Sequence, residues 1–207
     1  MQNEKSLNRE TKITRNEFIH NSTSKTTHES MRKLKITELN RLTTEEFKSH
    51  KKIPLIVVLD NVRSLHNVGS VFRTSDAFLV EAVYLCGITS VPPQAEIHKS
   101  ALGAENSVEW KYYEDTLQAV NELKNTGYKI LAIEQAEGSI MLEDLKLNSS
   151  GKFAVIFGNE VKGVQQAVVD ASDSCIEIPQ YGTKHSLNVS VTAGIIIWEF
   201  ASKLKQS

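Results

Sequence analysis

The chain has 207 residues, 40% of them hydrophobic and 24% charged, which is the balance of a globular protein with one well-buried domain and an appendage. Its apolar runs, such as 55–59 and 195–198, fall far short of the ~18 residues that suggest a membrane span. The net charge of −1 argues, taken alone, against a nucleic-acid binder, yet residues 1–52 hold 12 Lys or Arg against 7 Asp or Glu while residues 53–207 hold 12 against 18; the basic front is either a phosphate-contacting arm or a solvated tail.

Residues 1–30 are polar throughout, carry no secretory signal and have almost nothing to bury, so a disordered tail is expected. Residues 31–52 place Ile36, Leu39, Leu42 and Phe47 near helical spacing, and Thr43-Thr44-Glu45-Glu46 reads as a helix start, giving a short helical extension. From residue 53 to 207 one domain is expected. Apolar runs at 54–60, 82–87, 128–134, 152–158 and 174–179 read as strands, separated by helix-compatible segments at 67–78, 114–125 and 164–170. Continuously apolar strands alternating with helices imply an α/β fold with a parallel sheet covered on both faces. Cys86 and Cys175 lie inside such runs and read as small core hydrophobes, which makes the cytoplasm the expected compartment. The six histidines show no ligand spacing, so no metal is expected.

Open parallel sheets bind ligands beyond the carboxyl ends of their strands. Three segments there carry polar residues among apolar ones. The first, DNVRSLHNVGSVFRTSDAF, sets Asn67, Ser70 and Arg73 at helical steps, with Gly69 permitting a close approach; Arg73 is either a structural arginine tied to Asp76 or a carbonyl, or is presented to a phosphate or carboxylate. The second, FGNEVKGV, has the glycine spacing of a phosphate loop but Val164 and Gln165 where such a loop needs Lys and Ser or Thr. That leaves a glycine-bounded turn able to hold a polar ligand, with Glu160 at its tip. The third, SLNVSVTAG, places Ser186, Asn188 and Ser190 at the start of an apolar element. A helix cap explains one of them but not three. Leu187, Val191, Ile195 and Trp198 are spaced as the stripe by which this last helix packs.

Taken together, N-x-x-x-x-x-R-T-x-D-A, F-G-N-E-x-x-G and I-P-x-x-x-x-x-S-L-N-V-S resemble, in order and spacing, the three motifs of the SpoU (TrmH-like) RNA ribose methyltransferases of the SPOUT superfamily, over roughly residues 54–203. The resemblance implies methyl transfer from S-adenosylmethionine to a ribose 2'-hydroxyl of structured RNA, a deep C-terminal trefoil knot, and a homodimer. It implies Arg73 as the catalytic arginine, with Asn67, Glu160, Ser186 and Asn188 as the other polar site positions. Cofactor contacts are implied at Ile133, Gly158, Ile178, Ser186 and Leu187, and RNA contacts at Arg73, Arg63 and Lys99, the last within HKSALGAE. The chain is too short before residue 53 for the compact RNA-binding domain of some relatives, which favours tRNA over ribosomal RNA. Two rival readings are a non-catalytic RNA-binding factor of the same fold and a nucleotide hydrolase, the latter disfavoured by the missing phosphate-loop lysine.

Overall fold

A computed structural model of the protein describes residues 31–204; the expected tail at 1–30 lies outside the described residues. Two compact units are present, one ending at Asn40 and one starting at Arg41. In the first, the Glu38 carboxylate closes a 3-10 turn at Ile36–Glu38 by accepting from the Lys35 amide at 2.6 Å and from the Arg32 guanidinium at 3.0 and 2.9 Å.

The second unit opens with helix α1 (Thr44–Ser49). Its start is a reciprocal cap: Thr43 Oγ1 accepts from the Glu46 amide and Glu46 Oε2 accepts from the Thr43 amide. This helix buries Phe47 in the main core. A seven-stranded sheet follows, with all its pairings parallel, in the order β3-β2-β1-β6-β4-β7-β5. Its strands are β1 (Ile53–Asp60), β2 (Val80–Cys86), β3 (Glu109–Tyr113), β4 (Tyr128–Ile133), β5 (Ile140–Met141), β6 (Lys152–Phe157) and β7 (Ser174–Glu177). Central β1 sends Leu55, Val57 and Leu59 into one core and Ile56 and Val58 into the other, the period of two that a sheet covered on both faces requires. Helices α2 (Leu65–Ala77), α3 (Ala95–Ala101) and α6 (Val189–Leu204) contribute to the first core, and α4 (Thr116–Asn125) and α5 (Gln166–Ala171) to the second. Among the described residues no helix is long and apolar enough to cross a membrane. Both cysteines are free, and burial pushes the Cys86 thiol up to about 12, as suits a residue that packs rather than reacts.

Several expectations need correction. Strand β3, sequence EWKYY, is an edge strand with no buried residue, so it lacks the apolar run that marked the others. Helix α3 buries only Ile97 and Ala101 and carries no visible stripe. Helix α2 begins at Leu65 under a Ser64 cap, two residues before Asn67. The largest change concerns α6. It packs through Val189, Ala193, Ile196, Ile197, Phe200, Ala201 and Leu204, whereas Leu187, Val191, Ile195 and Trp198 are exposed at 39%, 51%, 37% and 59%. Both faces of the helix are apolar, and spacing alone could not say which one meets the sheet.

Candidate active site

The carboxyl ends of β4, β6 and β7 open into one cleft of about 1000 Å³. Loop 158–163 forms its floor. Asn159 and Gly163 exchange two backbone hydrogen bonds, at 3.0 and 2.9 Å, and Asn159 Oδ1 accepts from the amides of Val161 and Lys162. A Cβ on Gly158 would stand 2.0 Å from the Gly163 carbonyl carbon and 2.1 Å from the Val164 nitrogen, so only glycine allows the turn to close. Neighbouring segments clamp this loop. Glu134 Oε2 accepts from the Val164 amide at 3.0 Å, and Asn159 Nδ2 donates to the Asn61 carbonyl at 2.8 Å. From the third loop, the His185 carbonyl accepts from Gln135 Nε2 at 2.8 Å.

Beneath the loop lies a residue that the sequence reading missed. Asp60 is fully buried and accepts from Asn61 Nδ2, Thr116 Oγ1, and both the amide and the side chain of Gln165, at 2.6–2.9 Å. A carboxylate at the end of an apolar strand was the only available signal. Four donors offset the cost of burying its charge.

All five expected cofactor positions, Ile133, Gly158, Ile178, Ser186 and Leu187, line the cleft, as do Glu160 and Asn188. Glu160 accepts from the backbone amides of Arg63 and Ser64 at 3.0 and 3.1 Å and from Asn67 Nδ2 at 3.1 Å. Partial burial pushes its carboxyl up, but the amides of Arg63, Glu160 and Ser64 and the Asn67 side chain outweigh this and hold it below the usual carboxylate range. The same contacts set a negative charge at the start of α2, the favourable end of the helix dipole. Asn67 Oδ1 accepts in turn from Asn188 Nδ2 at 3.3 Å, and Asn188 Oδ1 caps α6 by accepting from the Ser190 amide and hydroxyl at 2.9 and 2.6 Å. Ser190 thereby gains a place, as the partner of the cap. One polar chain, Glu160 to Asn67 to Asn188, joins the cleft loop to the starts of two helices.

Arg73 stands apart from that chain. It is exposed, and among the described residues its side chain makes no hydrogen bond or ion pair; Asp76, its expected tie, instead accepts from Ser107 Oγ at 2.5 Å. Arg63 and Lys99 are also exposed, Lys99 lying 4.0 Å from Glu96 on α3.

The sequence profile of the SpoU rRNA methylase family matches residues 54–198, an interval that contains every one of these positions. The chain belongs to the SpoU methylase family. Among similar proteins, the tRNA (guanosine(18)-2'-O)-methyltransferase of Aquifex aeolicus is 34% identical over 148 residues, which is 70% of this chain and 67% of that protein. A 23S rRNA (guanosine-2'-O-)-methyltransferase of Neisseria meningitidis is 32% identical over 146 residues, 70% of this chain and 57% of that one, so the match spans less than two thirds of that relative. A crystal structure of the A. aeolicus TrmH/SpoU tRNA modifying enzyme superposes with a TM-score of 0.69 at 29% identity, covering 79% of this chain and 81% of its own. The AdoMet-bound rRNA methyltransferase of Sinorhizobium meliloti gives 0.68 at 25% identity, covering 74% and 58%. The parallel sheet is therefore the SpoU sheet, and the cleft lies at its strand ends.

Proposed function

We propose that this SpoU protein transfers a methyl group from S-adenosylmethionine to a ribose 2'-hydroxyl of tRNA. The observation that carries this reading is the convergence of Ile133, Gly158, Ile178, Ser186 and Leu187 on one cleft that Glu160 and Asn188 also line. The cleft fits such a cofactor. It is roomy, and Ile133, Phe157, Ile178 and Leu187 line it together with polar groups of Glu134, Gln135, Ser186 and Asn188. S-adenosylmethionine supplies an activated methyl group on a sulfonium that loses its charge on transfer. The chain's own task is mainly alignment and exclusion of water. Ile133, Ile178 and Leu187 would hold the donor's apolar parts, and Ser186 would hydrogen-bond its polar ones. The chain from Glu160 through Asn67 to Asn188 fixes the reacting edge. Arg73, charged and exposed, clamps an RNA phosphate next to the hydroxyl, since an arginine is protonated at neutral pH and serves poorly as a free base.

Three finer features belong to the same reading. The loops after β4, β6 and β7 meet through the Glu134 to Val164 and Gln135 to His185 contacts, and this is where the trefoil knot implied by the family resemblance would lie. The exposed Val191, Ile195 and Trp198 on α6 support a homodimer closed over that face. Arg63 and Lys99 extend the RNA surface. The test is mass spectrometry of nucleosides from RNA incubated with enzyme and S-adenosylmethionine. A new 2'-O-methyl nucleoside is expected in the tRNA fraction and is lost in Arg73→Ala with folding intact. Product confined to ribosomal RNA would replace tRNA as substrate, and full activity in the variant would remove Arg73 from the mechanism.

A further inference from the structure

The segment between β2 and β3 holds an under-satisfied buried acid. Glu105 lies in a 3-10 turn (Ala104–Asn106), and its side chain is 8% exposed. Its Oε1 sits 2.5 Å from His98 Nδ1, while Oε2 has no hydrogen-bond partner among the described residues. A half-partnered buried carboxylate costs stability, so its position calls for a reason beyond packing. The backbone is bent to make the contact. Leu102 and Gly103 both have positive φ, at 53° and 94°, and reverse the chain so that Glu105 returns beneath His98 in the last turn of α3. A leucine held there is uncommon.

His98 itself faces outward, its side chain 66% exposed, beside Lys99 at 67%. With Nδ1 engaged by Glu105, Nε2 is the atom left for a ligand. The segment also flanks Arg73. On α2, Gly69 touches it, since a Cβ there would meet Ser100 Oγ at 2.1 Å and the Ile97 carbonyl at 2.3 Å, and Asp76 accepts from Ser107. Arg73 lies four residues after Gly69 and three before Asp76, on the same stripe of the helix.

We infer that His98 is a second phosphate-contacting residue beside Arg73, with Glu105 as the positioning residue that fixes its ring and aims Nε2 outward. The inference rests on the reading of the protein as an RNA methyltransferase. Glu105 accepts from Nδ1–H on one side of the ring and a phosphate oxygen accepts from Nε2–H on the other, a carboxylate and a phosphate both being charged acceptors.

The experiment measures binding of fluorescein-labelled bulk tRNA to the full chain at pH ~5.5, below the ordinary imidazole value of ~6.5, over a series of salt concentrations. His98→Gln is expected to weaken binding about two- to fivefold, the effect of one exposed charge contact, and to lower the slope of log affinity against log salt by about 0.7 to 0.9. His98→Lys should restore the slope, which a merely structural histidine would not allow. Glu105→Gln should weaken binding in the presence of His98 and add nothing to His98→Gln, with retained circular dichroism showing that the variant is folded. An unchanged slope in His98→Gln, or independent effects of the two substitutions, overturns the inference. Methylation of total RNA by the unaltered protein runs alongside: its absence sinks the methyltransferase reading, whereas its presence with unchanged slopes sinks this inference alone.

Discussion

Glu160 uses both carboxylate oxygens at the head of α2, accepting from the Arg63 and Ser64 amides just before the helix and from Asn67 within it. Because those bonds hold its folded value below the usual range, the ionised form contributes stability above the ordinary carboxylate value of ~4.3, and that contribution is lost as pH falls through the lowered folded value. Glu160→Gln should cost about 1 kcal/mol near neutral pH, as loss of a helix cap does. In thermal unfolding the gap to the parent should close on the acid side; a constant gap down to pH ~3 would show that these bonds do not depend on the charge. Gly158 makes a different demand. Its missing Cβ is filled by the Gly163 and Val164 backbone, so Gly158→Ala has to open the loop. Calorimetry should show S-adenosylmethionine binding weakened more than about tenfold, the equivalent of 1.4 kcal/mol, while the helical circular dichroism persists. Unaltered binding would separate this loop from the donor site.

At the scale of elements, what could be read from the sequence follows from burial. Strands β1, β2, β4 and β6 are buried almost end to end, so their apolar runs stood out. Edge strand β3, short α3 and two-residue β5 bury too little to leave a pattern. The site divides along the same line. Ser186, Asn188, Gly158 and Glu160 were legible because small polar residues, a glycine and a lone acid interrupt apolar texture, whereas Asp60 acquires meaning only through partners remote in sequence, Thr116 and Gln165, and His98 and Glu105, seven residues apart, meet only through the chain reversal at Leu102 and Gly103. On α6 the period was visible but its direction was not. The outward stripe of Val191, Ile195 and Trp198, with Trp198 edge-on to Phe78 at 5.6 Å, is where a second copy of the chain is proposed to sit. Trp198→Asp should therefore convert a dimer to a monomer in sedimentation velocity, with the inner face of Phe200 and Ile196 still packed. A variant that sediments as the parent does would move the interface elsewhere.

For the whole molecule, the loops that follow β4, β6 and β7 form one coupled unit. Glu134 holds the Val164 amide, Gln135 holds the His185 carbonyl, Asp60 holds Gln165, and Asn188 reaches Asn67 and through it Glu160. A ligand in the cleft touches all three loops and should tighten them together. S-adenosylmethionine at about a hundred times its Kd should add about 2.7 kcal/mol of stability, which for a domain of this size raises Tm by about 5–10 °C. Hydrogen exchange should then show protection gained in step at 134–137, 158–165 and 178–188. Asn188→Ala cuts the link to Asn67 and removes the cap on α6, so it should uncouple the third loop: the first two would still gain protection and 178–188 would lag. Protection confined to a single loop in the unaltered protein would mean that the donor is held by one segment, and the polar chain from Glu160 to Asn188 would then serve the helices alone.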